Sequence, residues 1–449
     1  MSVLSCARVL GGAAAGADVS FRSVSTDTRT LEPGALYVAL KGENFDGHDF
    51  IAAAAAKGAA AALVSRAATT SLPTISVPDT RLGLGQLARY WRAQFAIPVI
   101  GVTGSNGKTT VKNMLAAILG EAGETLATAG NLNNDIGMPL TLLKLRAAHR
   151  FAVIEMGMNH AGEIDYLTHL CRPTIALINN AAPAHLAGLG SVGGVARAKG
   201  EIFAGLGDDG IAIVNADDAF HDFWRDLAAP RRVMSFGMLN DASVRARYET
   251  GTQGTRVTLT TPTGEIGVTL KLIGRHNALN AAAAACAAIA AGASPTHIRT
   301  GLEKLVSAPG RLEVKAGLNA ARVMDDTYNA NPASVAVALD VLADFAGERV
   351  LVFGDMGELG DTAEAAHRDV GQAARAAGVK TLYATGALSK LAVAAFGPGG
   401  CHFADREALV AALVPQLHAG MIVLVKGSRS AGMEKVVAAL TGTTTRAIH

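Results

Sequence analysis

Cysteine is scarce in this chain, and its few copies stand too far apart to share a site. They form neither a close metal-binding pair nor the dense framework of a small secreted domain. The four positions are Cys6, Cys171, Cys286 and Cys401. This usage predicts a protein of a reducing compartment, the cytoplasm.

An excess of charge of either sign is also missing. The formal net charge is only +2, with 17% charged residues. Nucleic acids and anionic membrane surfaces favour strongly basic partners, so the balance argues against both. Small phosphorylated molecules remain compatible with it, because they need only local positive charge.

Long hydrophobic runs that could cross a membrane are lacking too. The alanine-rich stretch 51–65 is too short, and Lys57 interrupts it. We expect there a helix of small residues that leads into a strand. The N-terminal segment has no basic leader, and Arg8 interrupts its apolar part, which argues against a signal peptide.

The chain is long enough for about three domains, and half of its 449 residues are hydrophobic. Residues 1–82 have the pattern of a small α/β unit. Residues 83–310 alternate buried strands with helices and carry an antiparallel patch at 243–273. Residues 311–449 alternate strands and helices again. We therefore predict an α/β protein with a doubly wound parallel sheet in its middle domain and a Rossmann-like C-terminal domain.

A glycine-rich turn, GVTGSNGKTT at residues 101–110, follows the first strand of the middle domain. The common phosphate-binding loop would need a glycine where this chain has Val102. The motif alone thus allows either a shorter phosphate loop or a chance turn. Its strand–turn–helix context favours the phosphate loop. Backbone N–H groups would then hold phosphate oxygens, Lys108 would bridge the outer phosphates, and the Thr109 hydroxyl would bind Mg²⁺.

Three further side chains are candidate site residues, each with a common structural alternative. Glu155 ends a parallel strand and suits Mg²⁺ binding or water positioning, although such a carboxylate also caps turns. His185 follows the next strand, where a lone histidine is commonly structural or exposed. Lys199 lies on a helix near Glu201, and a solvated helical lysine is the common case.

Polar side chains also cluster at later helix and strand ends. Asn277 and Asn280 share one helix face, where they could cap the helix or bind a nucleotide. Arg311 stands at the joint between the second and third domains. The strand end MDDTYNANPAS could close on a nucleotide bound to the second domain. Its polar residues are Asp325, Asp326, Tyr328, Asn329 and Asn331.

Taken together, these stretches resemble the bacterial Mur ligases, ATP-dependent enzymes that form amide bonds in cell-wall precursors. The resemblance covers nearly the whole chain. The family's phosphate loop is the short form matched by Gly104 to Thr110, so the missing glycine is a family trait. The stretches TAGNLNNDIGMPLTLL, IEMGMNHAGEI, FGDMGELG and LVKGSRS are most similar to members that add a D-alanyl-D-alanine dipeptide to UDP-N-acetylmuramoyl-tripeptide.

The resemblance implies a role for each matched residue. Lys108, Lys199 and His185 would be catalytic. Mg²⁺, with two ions expected, would be bound by Thr109, Glu155, His185 and a carbamate on Lys199. ATP would be bound by Gly104, Ser105, Asn106, Gly107, Lys108, Thr109, Thr110, Asn277, Arg311 and Asp326. The UDP-linked substrate and the dipeptide would contact Thr28, Asn44, Asn131, Asn133, Asn134 and Arg429.

The implied reaction uses ATP as a substrate and proceeds through an acyl phosphate. We expect the protein to be a monomer that binds small-molecule substrates and no nucleic acid. Two other kinds of ligase are alternatives. The stretch STDTRTLEPGALYVALKGENFDGHDFI resembles the UDP-binding first domain of the Mur ligases, so the resemblance implies that residues 1–82 bind the UDP part of the substrate. A folylpolyglutamate synthetase-like enzyme conflicts with such a domain. The ligase adding the third peptide residue conflicts with the absence of its DNPR segment, since Asn331 is followed here by Pro332-Ala333. A non-enzymatic phosphate-loop switch is the remaining alternative.

Overall fold

The computed structural model describes residues 1–443 apart from 185, 252–253 and 307–308, with only the backbone at 186–187 and 250–251. Three sheets follow one another along the chain. Among the described residues, no helix is long and apolar enough to cross a bilayer. The three-domain α/β architecture predicted from the sequence is confirmed.

The first sheet has the order β1-β5-β4-β3-β2, parallel except for β1. Its elements are α1 (Val3–Leu10), β1 (Ala13–Ala15), β2 (Ser23–Ser25), β3 (Ala35–Val38), α2 (Ile51–Ala56), β4 (Ala61–Val64) and β5 (Thr74–Ser76). The alanine-rich stretch forms the helix and strand that we expected. Helix α1 was not predicted, although Ser2 caps its start and Gly11 ends it in the left-handed conformation, both recognisable signals.

The middle sheet has the order β14-β13-β12-β11-β10-β9-β6-β8-β7. Every neighbouring pair of strands in the part of this order from β12 to β7 is parallel. The hairpins β12–β13 and β13–β14 form the predicted antiparallel patch. The strands are β6 (Val99–Thr103), β7 (Thr125–Ala127), β8 (Phe151–Glu155), β9 (Ile175–Ile178), β10 (Ile211–Asn215), β11 (Arg232–Gly237), β12 (Val244–Gly251), β13 (Gly254–Thr261) and β14 (Gly264–Leu270). The helices are α3 (Thr80–Arg92), α4 (Lys108–Gly120), α5 (Gly137–Leu142), α6 (Glu163–Cys171), α7 (Leu186–Leu189), α8 (Val192–Gly200), α9 (His221–Ala228), α10 (Arg275–Ala290) and α11 (Pro295–Lys304).

Helices cover both faces of the middle sheet, which makes the domain doubly wound. One face packs on α4, α10 and α11, and the other packs on α3, α5, α6 and α8. Strands buried on both faces are continuously apolar, as β6 is. The small side chains of α10 are almost all buried, so its backbone can lie close to the sheet and to α4.

The third sheet has the order β15-β16-β20-β17-β18-β19, and only β15 is antiparallel. The strands are β15 (Glu313–Ala316), β16 (Arg322–Asp326), β17 (Glu348–Gly354), β18 (Thr381–Thr385), β19 (Gly400–Phe403) and β20 (Met421–Lys426). The helices are α12 (Pro332–Ala343), α13 (Ala363–Ala376), α14 (Ser389–Phe396), α15 (Arg406–Leu413) and α16 (Glu434–Thr441).

Helix α3 packs against both the first and the middle domain. Leu84 packs in the core of the first sheet, whereas Ala88 packs in the core of the middle domain. Arg92 donates to the last backbone carbonyl of α6 at 3.0 Å. The predicted boundary between residues 82 and 83 falls inside this helix, and the boundary between 310 and 311 falls in the connection from α11 to β15. Both boundaries stay predictions.

The position of α4, which follows the glycine-rich turn, depends on a close contact with α11. A Cβ added to Gly301 would lie 2.5 Å from the Ile118 Cα. We expect Gly301→Ala to cost about 1–3 kcal/mol of stability, because backbone atoms cannot yield as a side chain can. An apparent melting temperature several degrees below wild type would show it. Gly120→Ala is the matched control, since nothing lies within 4 Å of its Cβ position. Equal melting temperatures for the two variants would contradict the packing argument.

Candidate active site between the middle and third domains

The phosphate loop, residues 104–110, joins β6 to the first turn of α4 at the carboxyl edge of the middle sheet. Gly107 has a φ of +77°, which favours glycine. A Cβ there would also lie 2.6 Å from amide atoms of Asn179 and Asn280. The turn therefore has the context of a phosphate-binding loop, with the N-terminus of α4 directed at its ligand.

Lys108 folds back over this loop. Its Nζ donates to the carbonyl oxygens of Gly104 at 2.7 Å and Ser105 at 3.3 Å. Burial lowers the pKa of the lysine, and the nearby Glu155 carboxylate opposes that shift. The amine is thus held beside the backbone N–H groups that would bind phosphate oxygens.

Glu155 lies next to the phosphate loop and is buried, with 2% exposure. One of its oxygens accepts from the Thr109 hydroxyl at 3.0 Å, and the other accepts from the Asn133 amide at 2.8 Å. Lys112, one turn after Lys108, places its Nζ 3.9 Å from Glu155. Sequence reasoning missed Lys112, although a lysine amid the apolar positions of α4 was a visible signal.

Lys199 lies in the last turn of α8 and is only 2% exposed. This burial contradicts the alternative of a solvated helical lysine, because α8 packs its last turn into the core of the middle domain. The predicted carbamate stays a prediction. Burial lowers the pKa of Lys199 well below its ordinary value, and the charge of Lys108 adds to this shift. Its amine has no hydrogen-bond or ion-pair partner in the described part of the chain, and it does not line the cavity between the middle and third domains.

The third domain contributes a cationic and aromatic wall. Arg311 donates to the Thr109 hydroxyl at 3.2 Å and lies over the ring of Tyr328, 4.0 Å from its centroid. Asp326, at the end of β16, is partly buried and forms an ion pair with the buried Lys426, the last residue of β20. These contacts bring the strand end that we predicted to close on a nucleotide against the middle domain.

A cavity of about 1020 Å³ lies between the two domains. It brings together most of the residues that the resemblance implied for ATP and Mg²⁺. Its lining includes Lys108, Glu155, Asn277, Arg311, Asp326 and Tyr328. Burial lowers the pKa of His276, which also lines the cavity, to about 4, so that ring is neutral near pH 7.

Asparagine side chains form a layer beneath the loop. Asn179 and Asn180 follow β9 and donate to the Asn106 carbonyl oxygen at 3.0 and 3.1 Å. Asn179 also donates to Asn280 on α10 at 2.9 Å, and Asn280 donates weakly to Asn277 at 3.5 Å. Sequence reasoning did not select Asn179 and Asn180, although they directly follow a parallel strand at the sheet edge where Glu155 lies.

The remaining implied substrate residues are divided between the cavity and the surface. Asn133 and Asn134 line the cavity, and the Asn134 side chain also accepts from the Gly137 N–H at 2.8 Å. Asn131 is exposed and does not line it. Thr28, Asn44 and Arg429 also stand outside its wall, and His185 lies outside the described residues. Arg429 is 6.0 Å from the centroid of the Tyr328 ring.

The oxygen donors beside the loop fit magnesium. The Thr109 hydroxyl and the Glu155 carboxylate are hard ligands 3.0 Å apart, and Mg²⁺ commonly takes only one or two protein ligands alongside substrate phosphates. No cluster of three or more histidine, cysteine, aspartate or glutamate side chains suited to a metal is found in the part of the chain that the structure describes. The fit therefore rests on the loop hydroxyl and Glu155.

Comparison with protein families assigns all three units. Residues 20–92 match the Mur ligase family catalytic domain, residues 102–288 the Mur ligase middle domain, and residues 310–429 the glutamate ligase domain of the Mur ligases. These matches cover the phosphate loop, Glu155, Arg311 and Asp326.

Individual relatives are similar to this chain over nearly its whole length. The chain is 49% identical to the UDP-N-acetylmuramoyl-tripeptide–D-alanyl-D-alanine ligase of Escherichia coli K12, over 96% of each chain. It is 38% identical to the solved structure of MurF from Acinetobacter baumannii, with a TM-score of 0.92 and 98% of each chain covered. MurF ligase from Thermotoga maritima in complex with ADP is 27% identical, with a TM-score of 0.85 over 93% of this chain and 97% of that one. The chain belongs to the Mur ligase family.

Proposed function

We propose that this chain is an ADP-forming ligase that joins D-alanyl-D-alanine to the free carboxyl end of UDP-N-acetylmuramoyl-tripeptide. The observation that carries the proposal is the cavity in which the phosphate loop faces Arg311 and Asp326 across the domain interface. The E. coli relative, whose name states this pair of substrates, is similar over nearly the full chain. The T. maritima structure with bound ADP supports ATP as the third substrate.

The reaction occurs in two displacements. The tripeptide carboxylate attacks the γ-phosphorus of ATP, the bond to the bridging oxygen breaks, and ADP leaves with an acyl phosphate formed. The dipeptide amine then attacks the acyl carbon, loses a proton, and expels inorganic phosphate as the amide bond forms. The physical difficulty lies in the first step, because two anions must approach one another.

Cations along the cavity reduce that repulsion. Lys108, held over the loop, and Arg311, held on the Thr109 hydroxyl, supply positive charge where phosphate oxygens would lie. When bound at Thr109 and Glu155, magnesium would add further positive charge to the triphosphate. The Asn133 amide orients Glu155 for that role by a hydrogen bond, and the Lys112 amine lies 3.9 Å from the carboxylate.

The third domain shields the intermediate from water. Tyr328 and the Asp326–Lys426 pair close one side of the cavity, so the acyl phosphate would meet the dipeptide amine before bulk water. We further propose that Lys199 carries a carbamate and that a second magnesium ion is used. The UDP-binding role of residues 1–82 also stays a proposal, with Thr28 and Asn44 near the uridine and Asn131 and Arg429 near the peptide. The monomeric state and the cytoplasmic location stay proposals too.

We expect phosphate release to require both peptide substrates. Without the dipeptide, the acyl phosphate has no amine to react with, so turnover stops after the first displacement. Phosphate should be measured with both substrates, with each one omitted, and with L-alanyl-L-alanine as a control of the same composition and opposite configuration.

Equal ATP turnover without the dipeptide would count against the ligase and favour a phosphate-loop switch, which hydrolyses ATP without an acceptor. Phosphate release with a folate and glutamate instead of the muramoyl tripeptide would favour the folylpolyglutamate synthetase alternative.

A further inference from the structure

The phosphate loop touches the third domain directly through a pair of amide side chains. Asn331 Nδ2 donates to Asn106 Oδ1 at 3.1 Å, although the two residues stand 225 positions apart in the chain. Both residues line the cavity between the domains. A change in the position of the third domain would therefore alter a hydrogen bond to the phosphate loop.

The middle domain holds the backbone of Asn106 from the other side. Its N–H donates to Asn180 Oδ1 at 2.9 Å, and its carbonyl accepts from the side chains of Asn179 and Asn180. With these bonds the strand β9 sets the position of the Asn106 peptide units. The Asn106 side chain is left as the part of the residue that reaches the third domain.

The orientation of the Asn331 amide is determined by a second task. Asn331 caps α12, where its Oδ1 accepts from the Ser334 N–H at 2.8 Å and its own N–H donates to the Ser334 hydroxyl at 3.0 Å. Because Oδ1 is engaged in the cap, the NH₂ group must point away from α12, toward the phosphate loop. The cap thus orients the Asn331 NH₂ group so that it can donate a hydrogen bond to Asn106 Oδ1.

We propose that Asn106 and Asn331 are positioning residues whose contact holds the phosphate loop in its transfer geometry only while the third domain is docked. This inference rests on the proposed ligase function. It couples phosphoryl transfer to closure, so that the acyl phosphate forms when the third domain already excludes water.

The test uses the full-length enzyme with Asn331→Ser. Serine is also a good N-cap, but its side chain is too short to keep the amide contact. We expect kcat to fall about three- to tenfold, the effect of one neutral hydrogen bond. KM for ATP should change much less than kcat, because the middle domain still holds the backbone of Asn106 through its own hydrogen bonds. Phosphate released per amide formed should rise above one, since looser docking lets water cleave the acyl phosphate to the carboxylate and phosphate.

Asn331→Ala separates the cap from the contact. Both variants lose the amide contact, but only alanine loses the cap. We therefore expect the same kinetic defect in both and a lower melting temperature for alanine alone. If serine behaves as wild type and only alanine is defective, Asn331 acts through the cap and the inference is overturned.

A double-mutant cycle with Asn106→Ala completes the test. If the two residues act through one contact, the double variant should be no slower than the slower single variant. Additive losses would overturn the inference. A wild-type enzyme that releases phosphate without the dipeptide would instead refute the ligase function, so the two failures can be told apart.

Discussion

Lys108→Ala is expected to lower the ligase rate by on the order of 10³-fold or more, because it removes a loop cation that would neutralise the transferring phosphoryl group. The lysine amine is held over the carbonyls of Gly104 and Ser105. A charge held beside the loop before ATP binds would be preorganised for the phosphate oxygens, and preorganised charge contributes strongly to transition-state stabilisation. The measurement is kcat for phosphate release with both peptide substrates present.

The fold should survive this substitution, since β6 and the apolar face of α4 remain packed in the core. Circular dichroism and thermal melting check this point, and Lys108→Met repeats the experiment with more of the side-chain volume retained. Lys144→Ala, at an exposed position outside the cavity, is the matched control and should keep wild-type activity. An activity of Lys108→Ala within tenfold of wild type would refute the role of this lysine.

Lys199→Ala is expected to lose nearly all activity, about 10²-fold or more, and to recover part of it when acetate or formate is added. The lysine is buried, and the structure provides no described partner for its charge. Burial lowers the pKa of the amine and so favours the neutral form. A neutral amine can attack CO₂ and lose a proton, giving a carbamate whose oxygens resemble those of a carboxylate.

Rescue distinguishes a carbamate from a merely structural lysine. A small carboxylate can supply the missing oxygens in the space that alanine leaves, as hard ligands for magnesium. Lys199→Arg should be inactive and should not be rescued, because the larger cation fills that space. Lys390→Ala, an exposed helical lysine on α14, should behave as wild type with and without acetate.

Two results would return Lys199 to a structural role. One is wild-type activity of Lys199→Ala. The other is a well-resolved structure with substrates in which Lys199 is unmodified and points to solvent. A ¹³C signal of a lysine carbamate in enzyme prepared with labelled bicarbonate would support the prediction independently of activity.

The sequence by itself determined the features that a short stretch of chain encodes. The continuous apolar run of β6, the glycines of the phosphate loop and the helix pattern of α4 act within about twenty residues of one another, so the strand–turn–helix unit was predictable. The same holds for Glu155 at the end of β8 and for the antiparallel hairpins after β11. The resemblance to the Mur ligases added roles to these residues, but their local structure was already visible.

Only the tertiary structure decided which side chains meet across the fold. The bond from Asn133 to Glu155 joins residues 22 positions apart, and the contact from Arg311 to Thr109 joins residues 202 positions apart. The burial of Lys199 depends on how α8 packs, which its own charge pattern does not reveal. Hydrogen bonds and burial depend on distances in space. A sequence pattern indicates such distances only for residues that are close together in the chain. The contact between Asn106 and Asn331 therefore appears only when the second and third domains are folded and placed against each other.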